Sequence, residues 1–149
     1  MTSVSVQSGS LSSVVYSSTE ALPFSDEDLV ALLGVSRRNN ERNSLTGMLL
    51  YREGRFLQVL EGPPEAVESR LAIIRSDDRH QSMRIMFEEK LDERQFAGWA
   101  MGFPADSIDD PSGIPGYLST FDNLASDPDS TITLRITKEL IKWFEDRSS

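Results

Sequence analysis

The sequence contains no cysteine and a single histidine, His80. The first absence removes disulfides, thiolate nucleophiles, zinc–thiolate sites and any covalent cysteinyl link to a cofactor. The second rules out a metal site built from several histidines, the HExxH pattern included. No apolar run approaches the ~18 residues of a membrane span, and the opening MTSVSVQSGS lacks the basic start and apolar core of a signal peptide. There is no G-x-x-x-x-G-K loop, no G-x-G-x-x-G turn and no G-x-S-x-G elbow. Bases are also scarce: 15 Lys and Arg against 24 Asp and Glu leave a formal charge of −9. Such a surface repels nucleic acid and anionic membranes. A cytoplasmic protein without a metal, a nucleic-acid partner or a membrane partner is the expectation.

What is present is a chain of 149 residues, 38% of them apolar, the size of one domain with a real core. Residues 1–10 are Ser-rich and expected to form a flexible tail. Leu11 to Ser18 alternates as a strand, with Val14 and Tyr16 on one face and Val15 and Ser17 on the other. A helix follows from an N-cap at Ser25, with acids in its first turn and Phe24 and Leu29 placed as a hydrophobic staple. Leu29, Leu32, Leu33 and Ser36 form its inward stripe, and the helix is expected to end near Asn39-Asn40.

Two strands, SLTGMLLY and FLQVL, flank a turn at Glu53-Gly54, where Gly54 is free to take positive φ. Pro63-Pro64 opens a second helix carrying Val67, Leu71 and Ile74 at helical spacing, expected to end at Asp77-Asp78 and His80. SMRIMFEEK and RQFAGWAMGF read as two more strands. The order predicts an α+β fold, a ferredoxin-like βαββαββ sheet. Its first and third strands lie side by side at the centre, and both helices lie on one face. The stretch 104–149 regains helical spacing at Tyr117, Phe121 and Leu124, then at Ile136, Leu140, Trp143 and Phe144. It is expected to form a C-terminal helical extension covering the open sheet face or a partner subunit, although TITLRIT alternates like a strand.

Gln58 is the residue that packing explains least. It shares a strand face with Phe56 and Leu60, and each polar atom of a buried amide left unpaired costs ~1–3 kcal/mol. Tyr16 on the adjacent central strand is the natural partner. Together they either satisfy each other in the core or polarise a heterocycle bound beneath the helix pair. Asn39 and Asn40, after Arg37 and Arg38, either cap the helix or recognise the carbonyl and N–H edge of a ring. Arg79 and His80 could contact a phosphate, or lie at the surface. Trp99 and Met101 project to one face of the last strand, which core packing also explains.

Taken together, VVYSS, SRRNN, LTGMLLY, FLQVLEGP, DDRH and the WAM triplet resemble the BLUF domains, bacterial blue-light sensors that use FAD. The resemblance covers about residues 11–103. It implies a photochemical set of Tyr16, Gln58, Trp99 and Met101, and a cofactor-binding set of Tyr16, Leu32, Ser36, Asn39, Asn40, Gln58, Ile74, Arg79 and His80. In it Leu32 and Ile74 sandwich the flavin ring, and Asn40 bonds its edge. The cofactor is FAD, with FMN or riboflavin as alternatives, held non-covalently. Light rearranges the Tyr16–Gln58–flavin hydrogen bonds into a red-shifted signalling state, passed through the C-terminal region to a partner. The short members that this chain resembles act as homo-oligomers or on a separate effector protein, and are not enzymes.

Two alternatives stand beside this one. A small enzyme resembling an acylphosphatase in topology would need an anion-binding glycine-rich loop after the first strand, and STEALPF lacks one. A non-photoactive flavin-binding or interaction domain would keep Gln58 as a purely structural residue.

Overall fold

The computed structural model describes residues 11–21, 25–76, 80–96, 114, 116–127 and 130–148, and the backbone alone of Asp26, His80, Gln81, Ser82, Arg147 and Ser148. The elements run β1 (Leu11–Glu20), α1 (Asp26–Arg42), β2 (Thr46–Arg52), β3 (Arg55–Gly62), α2 (Pro64–Arg75), β4 (His80–Leu91), α3 (Tyr117–Ser126) and α4 (Thr131–Ser148). The strands form one antiparallel sheet in the order β2-β3-β1-β4, with β1 and β3 central. This is the expected ferredoxin-like arrangement. The 1–10 tail and most of the anticipated fifth strand lie outside the described residues. Its first three residues, 94–96, are not in the sheet.

Alternation along the strands separates two cores. Val14, Tyr16, Leu49, Phe56 and Leu60 face α1 and α2, meeting Leu29, Leu32 and Leu33 of one helix and Val67, Leu71 and Ile74 of the other. Val15, Met48, Leu50, Leu57 and Val59 face the other way, forming a lower core with Phe121, Leu124, Leu140 and Phe144 of α3 and α4 on the lower face of the sheet. The C-terminal helices therefore cover the chain's own open sheet face. The ambiguous TITLRIT is helical because its buried residues, Thr133 and Thr137, continue at helical spacing into Leu140, Ile141 and Phe144. Their hydroxyls are satisfied locally: Thr133 donates to the Asp127 carbonyl at 2.7 Å and Thr137 to the Thr133 carbonyl at 2.7 Å.

Helix α1 begins at the expected N-cap, while Phe24 of the expected staple lies outside the described residues. Asp28 N–H donates to Ser25 Oγ at 3.1 Å and Ser25 N–H to Asp28 Oδ2 at 2.9 Å, a reciprocal capping box. The Ser25 backbone N–H, then its side chain, hold the Asp28 carboxyl below its ordinary value. The expected end near Asn39-Asn40 falls short of the observed one. The helix runs on to Arg42, and Asn43 caps it, its N–H reaching the Asn39 and Asn40 carbonyls and its Nδ2 the Asn39 carbonyl at 2.8 Å. Helix α2 starts with Pro64 in its first turn and ends at Arg75, with Ser76 as cap. His80 opens β4 opposite Glu20 rather than closing α2.

The β2–β3 hairpin closes through Arg52 and Arg55, and both turn residues take positive φ, Glu53 at 50° and Gly54 at 82°. That is the primed geometry whose twist matches two-residue hairpins. Gly47 is required for a different reason: a Cβ there would collide with the Val59 carbonyl oxygen on β3. Beside β1 the pairing is less regular. Val15 faces Phe87 and Tyr16 faces Ile85, so Met86 is an extra residue, and a second irregularity falls between Ser17 and Thr19. The first bulge lets adjacent Met86 and Phe87 both pack on the lower core.

A cavity of about 290 Å³ lies between the lower sheet face and α4, bordered by Val15, Phe87, Lys138 and Glu145. Lys138 Nζ sits 5.2 Å from the Phe87 ring centre. Burial pushes the half-buried Glu145 carboxyl up, Lys142 opposing and Glu61, Glu89 and Asp146 adding to the effect.

Leu140→Ala should cost about 2–5 kcal/mol by chemical denaturation, whereas Ala at the exposed Ile132 should change stability by no more than ~0.5 kcal/mol. For Glu145, the folded chain binds more protons than the unfolded chain between the ordinary value of 4.5 and the raised folded value. Stability from this group therefore falls as pH rises through that window. Glu145→Gln should be more stable than the parent at neutral pH, and the difference should vanish below pH 4.5, as read by denaturation across pH.

Candidate functional site

Tyr16 and Gln58 occupy directly opposed positions on the central β1–β3 pair, where the register is uninterrupted from Ser12↔Gly62 to Thr19↔Arg55. Parity turns both side chains toward α1 and α2. Tyr16 is 1% exposed and Gln58 7%. The Tyr16 hydroxyl donates to Gln58 Oε1. A tyrosine hydroxyl both donates and accepts, and a primary amide offers two N–H donors and one acceptor oxygen. Tyr16 can therefore hold Gln58 by its oxygen or, after an amide reversal, by its nitrogen.

Helix α1 supplies the next group. Its inward stripe begins with Leu29, Leu32 and Leu33 and turns polar at Ser36 and Asn40, both buried. Since Asn43 performs the capping, Asn40 is not needed for it. Its backbone carbonyl accepts from Leu45 N–H at 2.8 Å. The residue makes further interactions, while its fully enclosed Oδ1 atom accepts no hydrogen bond among the described residues. Asn39, one position round, is half-buried and Arg37 and Arg38 are exposed. Ile74, on α2, is buried in the same core as Leu32 and Tyr16.

The structure thus brings Tyr16, Gln58, Leu32 and Ile74 together on one sheet face, and buries Ser36 and Asn40 on the same helix stripe. Arg79, Trp99 and Met101 lie outside the described residues, as does the His80 side chain. The donor set suits a flat, neutral, polar-edged ring: aliphatic walls come from two helices, and carboxamides offer donors and acceptors together. No group of three or more metal-binding side chains occurs among the described residues. No helix among them is long and apolar enough to cross a membrane.

The family model for BLUF, sensors of blue-light using FAD, matches residues 11–102. The chain belongs to the BLUF family. Flavin, as FAD, is the chromophore of BLUF domains. Photoactivated adenylate cyclase subunit alpha of Euglena gracilis is 37% identical over 113 residues, covering 76% of this chain and 10% of that protein. The chain spans about a tenth of the length of the curated relatives it matches. Among solved structures, the dark state of the BLUF protein BlrB superposes with a TM-score of 0.74 at 26% identity, covering 95% of this chain and 99% of that one. A bacterial light-regulated adenylyl cyclase gives 0.70 at 31% identity, over 77% of this chain and 35% of that one. The photo-activated state of BlsA gives 0.70 at 25%, over 88% and 94%.

One buried polar group in this BLUF domain escaped the sequence reading. Glu61 is a fully buried carboxylate on the lower face of β3. The signal was available: Leu57, Val59 and Glu61 share strand parity, so a charge occupies an apolar register position. Tyr51 also has a partner, donating to Glu20 Oε2 at 2.6 Å, with its ring 4.9 Å from that of Phe56.

Tyr16→Phe removes the donor from a buried amide oxygen. It should lower stability by ~1–3 kcal/mol in denaturant melts, with the sheet's circular-dichroism signature intact.

Proposed function

We propose that this chain is a non-enzymatic photoreceptor in which Tyr16 and Gln58 form the light-driven switch, with Leu32, Ser36, Asn39, Asn40, Ile74, Arg79 and His80 holding the flavin. The single observation that carries the reading is the buried hydrogen bond between two facing residues of the central strands. Bound FAD supplies absorption of blue light and an excited state that accepts an electron. Tyr16 would be the residue to give up that electron, and its hydroxyl proton, which lies on the bond to Gln58 Oε1, would leave along that bond.

When the electron and proton return, Tyr16 is again a neutral phenol. The lasting difference is at Gln58, whose amide has rotated or tautomerised. Gln58 would then offer a flavin ring bound beside it an altered pattern of donor and acceptor, which a small red shift would report. Leu32 and Ile74 exclude water, and Asn40 fixes the ring's orientation through its amide. A swap of one or two hydrogen bonds is worth ~1–2 kcal/mol. That moves a near-balanced equilibrium about tenfold without remaking the fold.

Trp99 and Met101 are the proposed receivers of the change at Gln58. The helices on the lower sheet face pass it on, to a second copy of the chain or to a separate effector protein. Relatives named as light-regulated or photoactivated cyclases support an effector downstream. A non-photoactive flavin-binding or interaction domain is the competing reading.

Purified protein should be yellow with a flavin spectrum, and blue light should shift its absorption reversibly to the red. Gln58→Leu should keep the bound flavin and lose the shift. A variant that still shifts refutes the switch assignment, and a flavin-loaded parent without a shift favours the competing reading.

A further inference from the structure

Three residues after Gln58 the same strand carries Glu61, whose side chain points to the opposite face and is 0% exposed. A buried carboxylate is costly unless strong hydrogen bonds compensate it, and here they do. Oε1 accepts from the Phe96 backbone N–H at 2.6 Å and from Thr46 Oγ1 at 2.9 Å, and Oε2 accepts from the Gln95 backbone N–H at 3.0 Å. Arg94 braces the cluster, donating to Thr46 Oγ1 at 2.8 Å, to the Glu61 carbonyl at 3.3 Å and to the Ser44 carbonyl at 2.6 Å.

The sheet itself does not need this arrangement. Glu61 is already in register with Ser13 on β1 and Thr46 on β2. An apolar side chain would fill the position without the desolvation cost. A carboxylate, being acceptor-only with two oxygens, can take two successive main-chain N–H groups and a hydroxyl at once. What it secures is the chain just beyond β4. Phe96, held through its N–H, has its ring fully buried among Phe121, Leu140 and Phe144 of the C-terminal helices. One strand therefore carries Gln58 on its upper face and, through Glu61, grips an anchor of the lower helices.

We propose that Glu61 is a positioning residue that couples the Gln58 strand to the C-terminal helices through the Gln95 and Phe96 amides. The inference rests on the photoreceptor reading above. Hydrogen bonds weaken steeply with distance and angle, so a small displacement of β3 alters both grips together. Phe96 carries that change into the core of α3 and α4. A role confined to stability would instead leave the light response of those helices untouched when Glu61 is altered.

The test uses the full flavin-loaded chain, isotopically labelled, with nuclear magnetic resonance spectra and absorption recorded in the dark and under blue light. In the parent, the red shift should be accompanied by shifts of the Gln95 and Phe96 amide signals and of the Leu140 and Ile141 methyl signals. Glu61→Gln keeps the size but replaces one acceptor with a donor. It should retain the red shift and lose the methyl response, while Thr46→Val, which spares both main-chain grips, should keep both. An unchanged methyl response in Glu61→Gln overturns the proposal. Should that variant fail to fold, the parent decides: a red shift with static Gln95 and Phe96 amides overturns the coupling role and leaves the photoreceptor reading standing. No red shift at all overturns both.

Discussion

A hydrogen bond between a tyrosine and a glutamine, enclosed by aliphatic side chains and mounted on the two middle strands of a sheet, sets the terms for everything around it. Neither group is at ease there unpaired, since each orphaned buried polar atom costs ~1–3 kcal/mol. Their meeting depends on register. A slip of one residue in β1 or β3 would turn one of them to the opposite face. The β1–β3 ladder is continuous across the site, whereas β4, on the other side of β1, departs from register beside Tyr16. The pair is thus held firmly from one flank, and its other flank carries the bulges.

The same strand periodicity gives β3 its two-sided character. Gln58 lies with Phe56 and Leu60 under α1 and α2, while Glu61 follows Leu57 and Val59 toward the C-terminal helices. A stiff strand is a short mechanical path between faces, because backbone ladders to both neighbours prevent it from absorbing a local change. The C-terminal helices are part of this construction. Leu140 and Phe144 complete the core against Leu57 and Val59, so these helices cannot leave without exposing the underside of the sheet.

Much of this was legible in sequence, for identifiable reasons. Alternation put Tyr16 and Gln58 on one face, an N-cap followed by acids marked Ser25, and Gly54 marked the hairpin. Where several residues suited the same role, local chemistry could not choose. Asn39, Asn40 and Asn43 all favour a helix end, and it is the burial of Asn40 that carries α1 on to Arg42. In TITLRIT, β-branched residues conceal a helix whose buried stripe is made of threonines with internally satisfied hydroxyls. The bulges in β4 leave no compositional mark. In sequence, Glu61 reads as a solvated charge near a strand end. Strand parity with Leu57 and Val59 points to its burial, but the donors that satisfy it, from Thr46, Gln95 and Phe96, are seen only in the structure, the latter two being distant in sequence.

The energy scale ties these parts together. The proposed change of one or two hydrogen bonds at Gln58 would supply ~1–2 kcal/mol, small beside the ~5–15 kcal/mol stability typical of a domain. Such a signal is lost if it spreads into soft surroundings, and it is useful only where it meets something cooperative. Packed cores respond that way, shifting between discrete arrangements rather than deforming smoothly. Phe96, Phe121, Leu140 and Phe144 form such a core directly beneath the central strands. The buried carboxylate at the end of β3 is the polar contact that ties this core's edge to the strand carrying Gln58, the proposed origin of the change. On the proposed reading, a sheet with a polar pair that switches above and a polar grip below would need no large movement to be read at its underside.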